Sequence, residues 1–382
     1  MSMKGFVRWT AITVVLLSSL IAASAQGALS GEDGQAAPLD TKIGQMLMVG
    51  FRGLTVDETS PVVNGIRHGH IGGVILFDYD VPARSPVRNI TSPGQVKTLV
   101  ARLQRAAKRP LLVAIDQEGG KVSRLKETFG FPPSVSQEYL GDADSPERTR
   151  RHAAQTAKTL ADLGINVNFA PVVDVNTNPG NPVIGGMGRS FSPDPATVVT
   201  HALIVIDALH EEGILSAIKH FPGHGSSRAD SHRGFVDVTD SWSSMELIPF
   251  RRIVESGRCD MVMTAHIFNE RLDPAWPATL STHTITGLLR RDMGFQGVVV
   301  SDDMQMGAIR SCYSLETALS RALDAGCDIL IFANNSVYEE DIAARAHRLI
   351  RAMVARGTVS PARIDKSFER IMRLKKGLLK QQ

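Results

Sequence analysis

Eight short apolar runs, separated by longer stretches of helical periodicity, constrain this chain more than any other feature. The runs occupy residues 46–51, 73–77, 111–115, 167–173, 217–221, 261–265, 298–300 and 329–332. They are almost continuously apolar, as parallel strands covered on both faces are. Between most of them lie stretches with apolar residues at helical spacing: 94–107, 145–163, 195–212, 244–255, 285–292 and 314–325, with a last helix over 361–380. Eight strands with interleaved helices predict an α/β fold, a (β/α)8 TIM-type barrel forming a single catalytic domain over residues 39–382. A doubly wound open sheet usually has fewer strands and wants a glycine-rich phosphate turn after the first, and the chain has none.

Residues 1–25 have the pattern of an export signal. Lys4 and Arg8 precede an apolar run over 11–22, and Ala23-Ser24-Ala25 forms a small-x-small cleavage site. That run falls short of the ~20 residues a membrane span needs, so no lasting membrane anchor is expected. Residues 26–38 read as a linker. The three cysteines, Cys259, Cys312 and Cys327, form no even set and no metal-ligand spacing. Export without a disulfide framework suits a bacterial periplasm or the cell exterior. The formal charge of +3 includes Lys4 and Arg8; without them too little remains to argue for nucleic acid or anionic membranes. Residues 78–94, a polar and proline-rich stretch, predict an unusually long loop after the second strand.

In a barrel of this kind the chemistry collects at the C-terminal ends of the strands. Asp116 follows the third run, Asp174 the fourth and His266 the sixth, Lys219-His220 stands near the close of the fifth, and Ser301-Asp302-Asp303-Met304 follows the seventh. After the fifth run comes FPGHGSSRADSH, where Asp230 stands two residues before His232 on a chain rich in Gly and Ser. A carboxylate so placed can fix an imidazole tautomer and stabilise its charged form, which makes an acid/base dyad. His220, His224, Asp230 and His232 are also a conceivable metal set, although no HxH or HExxH spacing accompanies them.

The pieces QMLMVGF, GHIGGVILF, DQEGGKVSR, NFAPVVDV, GRSFSPDP, KHFPGHG with DSH, MTAHI, SDDMQM and AGCDIL resemble, in this order, the β-N-acetylglucosaminidases of glycoside hydrolase family 3. The resemblance is to the single-domain bacterial branch that trims N-acetylglucosamine (GlcNAc) from peptidoglycan fragments, and it covers nearly everything from residue 43 to 374. It implies Asp302 as the nucleophile and His232, oriented by Asp230, as the acid/base. Asp116, Arg189, Lys219 and His220 would hold the terminal sugar, with Asp174, His266 and Met304 in a second tier of the pocket. It implies a carbohydrate substrate, no metal, no other cofactor and a monomer.

Structural readings stand beside these. Asp303 would point to the other side of its strand, Asp116 would cap a helix, Arg189 would pair with Asp194, Glu118 would be structural and His224 would shape its loop. The Asn89-Ile90-Thr91 sequon carries no weight. The family branch is often cytoplasmic, so export leaves muropeptides, wall polymer ends and chitin oligomers all open as substrates. Within the family a phosphorylase or a β-glucosidase is the alternative. Outside it stand a metal-dependent hydrolase and an inactive sugar- or wall-binding barrel.

Overall fold

The computed structural model describes residues 37–379; the expected signal over 1–25 and nearly all of the 26–38 linker lie outside them. Eight parallel strands close into a barrel in sequence order: β1 (Leu47–Gly50), β2 (Gly73–Leu76), β3 (Leu112–Ile115), β4 (Val167–Asn168), β5 (Leu215–Phe221), β6 (Met261–Thr264), β7 (Val298–Asp303) and β8 (Ile329–Phe332). The ring is completed by β1 lying against β8, with Met48 opposite Ile331. Closure leaves no sheet edge, and the strands are buried on both faces, which is why their sequences are continuously apolar. Around them run the helices expected from the apolar spacing, and no helix among the described residues is long and apolar enough to cross a membrane.

Several helix starts share one local code, a polar cap followed by proline. Ser92 accepts from the Gln95 amide, Ser145 from Arg148 and Asp194 from Thr197, each with Pro at the first helical position. The cap satisfies an otherwise unpaired amide, and proline sits where its missing N–H is not needed. Among the described residues five α-helices escaped the sequence reading: Leu39–Gln45, Pro61–Arg67, Gln137–Ala143 and Gly307–Arg310, all too short to show a period, and the alanine-rich Ile342–Ala355 after β8.

The strands also differ from their apolar runs. β4 is only two residues long, because Pro171 has no amide to give to a ladder. Asparagine side chains complete its edge toward β3. Asn166 takes the Val113 amide at 2.8 Å and Asn168 takes that of Gln117 at 3.0 Å. β7 runs three residues beyond its apolar run, through Asp303, with a register shift against β8 between Val300 and Asp303.

The loop over residues 78–94 is tied down at its far end. Arg88 is buried and donates to the carbonyls of Phe51 and Asn334, both at 3.0 Å, and to Asn335 Oδ1 at 2.7 Å. Asn89, fully buried, donates to Phe51 and Gly53 and accepts from the Phe77 amide. Its side chain is therefore spent on the fold and closed to a glycan.

Below the barrel, Asp328 holds the last helix, Pro361–Leu379. It accepts from Ser367 at 2.6 Å, from Arg370 at 3.1 Å and from Arg290 at 2.6 Å while lying fully buried. Removing one member of a buried charge cluster strands the others, which costs about 3–5 kcal/mol. Asp328→Ala should lose stability of that order in urea unfolding. Lys158→Ala, which breaks the exposed pair with Asp162, should leave the urea midpoint close to the wild-type value.

Candidate active site

A cavity of about 540 Å³ opens at the C-terminal ends of the strands, and its floor is charged. β5 extends past its neighbours and carries Lys219 to this level, where its Nζ lies 2.8 Å from Asp116 and 2.6 Å from Glu118. Arg189 grips the same Glu118 through two hydrogen bonds of 2.7 Å. Burial alone would push both carboxyls up. Arg189 and Lys219 hold Glu118 far below the usual carboxylate range, and Lys219 and Arg124 hold Asp116 below it. Asp174, fully buried behind β5, takes the His220 ring at 2.7 Å together with the amides of His220 and His224. A carboxylate only accepts, so the His220 proton sits on Nδ1, and Nε2 accepts from Arg189 at 3.3 Å.

Across the cavity stands Asp302, at the end of β7. Its Oδ1 accepts from the Asp303 amide at 2.8 Å. Burial pushes this carboxyl up, but the imidazoles of His266, His220 and His232 outweigh it and bring the pKa to about 2. Facing it from the loop after β5, His232 bonds through Nδ1 to Asp230 at 2.7 Å, and the His232 amide bonds to the same oxygen at 2.9 Å. Burial disfavours the charged ring, but the Asp230 hydrogen bond and the charges of Asp302 and Asp230 prevail and raise its pKa. His232 Nε2 has no hydrogen-bond partner among the described residues. One ionised carboxylate therefore faces one carboxylate-backed imidazole across a single polar cavity.

The comparisons with known proteins decide the family. The chain matches the glycosyl hydrolase family 3 N-terminal domain over residues 38–374. The chain belongs to glycosyl hydrolase family 3. Within the family it falls among the β-hexosaminidases. It is 36% identical over 310 residues to a β-hexosaminidase of Xylella fastidiosa, covering 79% of this chain and 88% of that one. It is 36% identical over 333 residues to β-hexosaminidase A of Pseudoalteromonas piscicida, covering 77% of this chain but only 54% of that longer protein. A family 3 β-N-acetylglucosaminidase from Paenibacillus sp. superposes with a TM-score of 0.82 at 36% identity, over 90% of this chain and 63% of the other. The β-N-acetylhexosaminidase of Beutenbergia cavernae gives 0.79 at 28% identity, over 89% and 99%.

In this family 3 chain, Asp116, Arg189, Lys219, His220, Asp230, His232 and Asp302 all line one cavity. Arg189 pairs with Glu118 and not with Asp194, whose carboxylate is spent capping Thr197. Asp116 faces Lys219 and caps no helix. Glu118, read as structural, is the carboxylate that both cations share. Asp174 and His266 are braces and do not line the cavity, since His266 donates to the Asp303 carbonyl at 2.9 Å and meets Thr279 at 2.8 Å.

Met304 requires a correction. It is buried, its amide bonds to Ile331, and Met306 lines the cavity in its place. The chain turns after Asp303, so strand alternation no longer decides which side chain faces in. Asp303 holds that turn, accepting from the amides of Gln305 and Ala333 at 3.0 Å each, while burial pushes its carboxyl up to about 6.

One residue went unnoticed in the sequence. Arg124 lines the cavity 3.5 Å from Asp116 and keeps its buried Nε without a partner. It closes the DQEGGKVSR stretch, so a charge at a fixed distance beyond the glycine turn was the available signal. The different partners of the carboxylates predict different stabilities. Glu118→Ala leaves Arg189 without a carboxylate and Lys219 with Asp116 alone, and should lose about 3–5 kcal/mol. Asp302→Asn removes a charge that the fold favours, since its pKa is lowered to about 2, and should lower the unfolding temperature, but by less than Glu118→Ala because no cationic side chain is bonded to it.

Proposed function

We propose that this protein is an exo-acting, retaining β-N-acetylglucosaminidase that removes terminal non-reducing GlcNAc from peptidoglycan fragments or chitin-type oligosaccharides. The observation that carries the reading is the pairing of Asp302, held ionised, with the His232–Asp230 dyad across one cavity. Asp302 attacks the anomeric carbon as His232 Nε2 gives its proton to the departing oxygen, leaving a glycosyl ester and a neutral imidazole. The same imidazole then takes a proton from water as it attacks the ester, which restores both groups. Asp116, Arg124, Arg189, Lys219 and His220 hold the hydroxyls and acetamido group of the sugar. The protein acts as a monomer, exported to the periplasm or beyond; a mature N-terminus at Met1 in a cytosolic fraction would remove the export half of this reading.

Asp302→Asn should fold and lose nearly all turnover, since an amide cannot form the glycosyl ester. Asp303→Asn should keep far more, because Asp303 serves the turn. The reverse order would overturn the assignment.

The pH profile tests the dyad. Asp302 stays ionised down to about pH 2, so it sets no acid limb in the ordinary range. Proton donation is complete below the His232 pKa and is lost as pH rises through it. The kcat/KM for an unactivated GlcNAc glycoside should therefore fall on the alkaline side, above the ordinary imidazole value of 6.5. Asp230→Asn removes a charge that raises the His232 pKa, so the limb should move to lower pH. A limb that stays in place would exclude His232 as the donor.

A further inference from the structure

The loop that carries the dyad is fixed at both ends and loose between them. Asp174 takes the His220 and His224 amides, Glu246 takes that of Gly225 at 2.9 Å, and Trp242 donates to the Pro222 carbonyl at 3.2 Å. After Ser227 the character changes, and Arg228, Ala229, His232, Arg233 and Phe235 are exposed. Between Arg228 and Phe235 two backbone bonds tie the loop to the rest of the barrel, before Val236 and Val238 pair with Phe268. The Gly307 amide donates to the His232 carbonyl and the Ala308 amide to the Ser231 carbonyl, both at 3.1 Å. Of its side chains, Ser231 adds a longer contact of 3.3 Å to His224.

Gly307 allows this approach. A Cβ there would lie 2.6 Å from the Arg233 carbonyl carbon and 2.8 Å from the carbonyl oxygens of His232 and Arg233. Those are backbone atoms, which cannot swing aside as a side-chain tip can. The φ of Gly307 lies outside the left-handed region, so glycine supplies clearance here and not conformational freedom.

Gly307 is also tied to Asp302. Between them, Asp303 takes the Gln305 and Ala333 amides, the Met306 amide returns to the Asp303 carbonyl at 3.0 Å, and the Met304 amide bonds to β8 at 2.9 Å. The segment that grips the His232 backbone is thus continuous with the strand that presents Asp302. We propose that Gly307 and Ala308 latch the dyad loop to the end of β7, and that Gly307 is a positioning residue setting the reach of His232 to the glycosidic oxygen. This rests on the reading of His232 as the acid/base.

The test uses the full chain with three variants, Gly307→Ala, Gly307→Val and Ala308→Pro. The first two push the loop away, and the third deletes one donor and places a proline Cδ where its hydrogen pointed at the Ser231 carbonyl. Each is assayed on a GlcNAc disaccharide, whose leaving group needs a proton, and on the dinitrophenyl glycoside, which needs almost none. A displacement of about 1 Å costs on the order of 100-fold in a positioned proton transfer. The expected result for Gly307→Val is a kcat loss of that order on the disaccharide and less than about 3-fold on the dinitrophenyl substrate for glycosylation. The KM should be little changed. The second readout is limited trypsin digestion, in which cleavage after Arg228 and Arg233 should quicken in all three variants at an unchanged unfolding temperature.

Equal losses on both substrates, or wild-type cleavage rates and wild-type disaccharide turnover in Gly307→Val, would overturn the latch. A His232→Ala control separates the two ideas. If that variant loses equally in kcat/KM on both substrates, the acid/base reading fails and the positioning role falls with it, while the digestion still reports whether Gly307 holds the loop. Should Gly307→Val fail to fold, Ala308→Pro and Gly307→Ala carry the same comparison.

Discussion

Glu118, shared between Lys219 and Arg189, is the interaction on which the rest of the site depends. A sugar pocket needs charged groups, and this one places them on top of a closed apolar barrel. Taking one such ion out of water costs several kcal/mol. A partner at ~4 Å returns about 4 kcal/mol at the effective dielectric typical of such sites. One contact roughly breaks even, and two win. Glu118 meets both cations at 2.6–2.7 Å, and Lys219 meets Asp116 as well as Glu118. The cations are thereby held still before any substrate arrives, which is the preorganisation that polar catalysis requires.

The same principle explains what could be read from the sequence. Asp116, Lys219, His220 and Asp302 each stand at or near the end of an apolar run, and the architecture places the ends of all runs on one rim. Their position therefore followed from the strand count alone. Arg189 and Arg124 lie on irregular chain, where no periodicity says which way a side chain points. Arg189 finds its partner 71 residues earlier, at Glu118, and nothing local reveals that pairing. Only the resemblance to a known family drew Arg189 into the site, and Arg124 was passed over.

The fold shows the same division. Apolar runs marked all eight strands, because burial on both faces leaves a signature in every residue. What they did not mark is where a ladder stops. β4 is cut short by Pro171 and finished by the side chains of Asn166 and Asn168, while β7 continues into Ser301, Asp302 and Asp303, which look like loop. Residues 78–94 have the composition of a free loop, yet Arg88 and Asn89 are buried and bonded to the ends of β1 and β8. Single polar residues decided each case through partners far away in sequence.

In the proposed mechanism Asp302 and His232 divide the work of the site in a way that their surroundings explain. A nucleophile has to meet one carbon atom at one angle, and Asp302 stands on a strand whose turn is fixed by Asp303. A proton donor has to tolerate the departure of one group and the arrival of water, and His232 sits half in solvent on a loop with few bonds. A loose loop alone would spread the imidazole over many positions and dilute its contribution. Two amides from the segment after β7, and the clearance that glycine gives at 307, limit that spread without burying the ring. Rigidity is thus lent to the loop by the strand that carries Asp302, so any shift of that strand end moves Asp302 and His232 together.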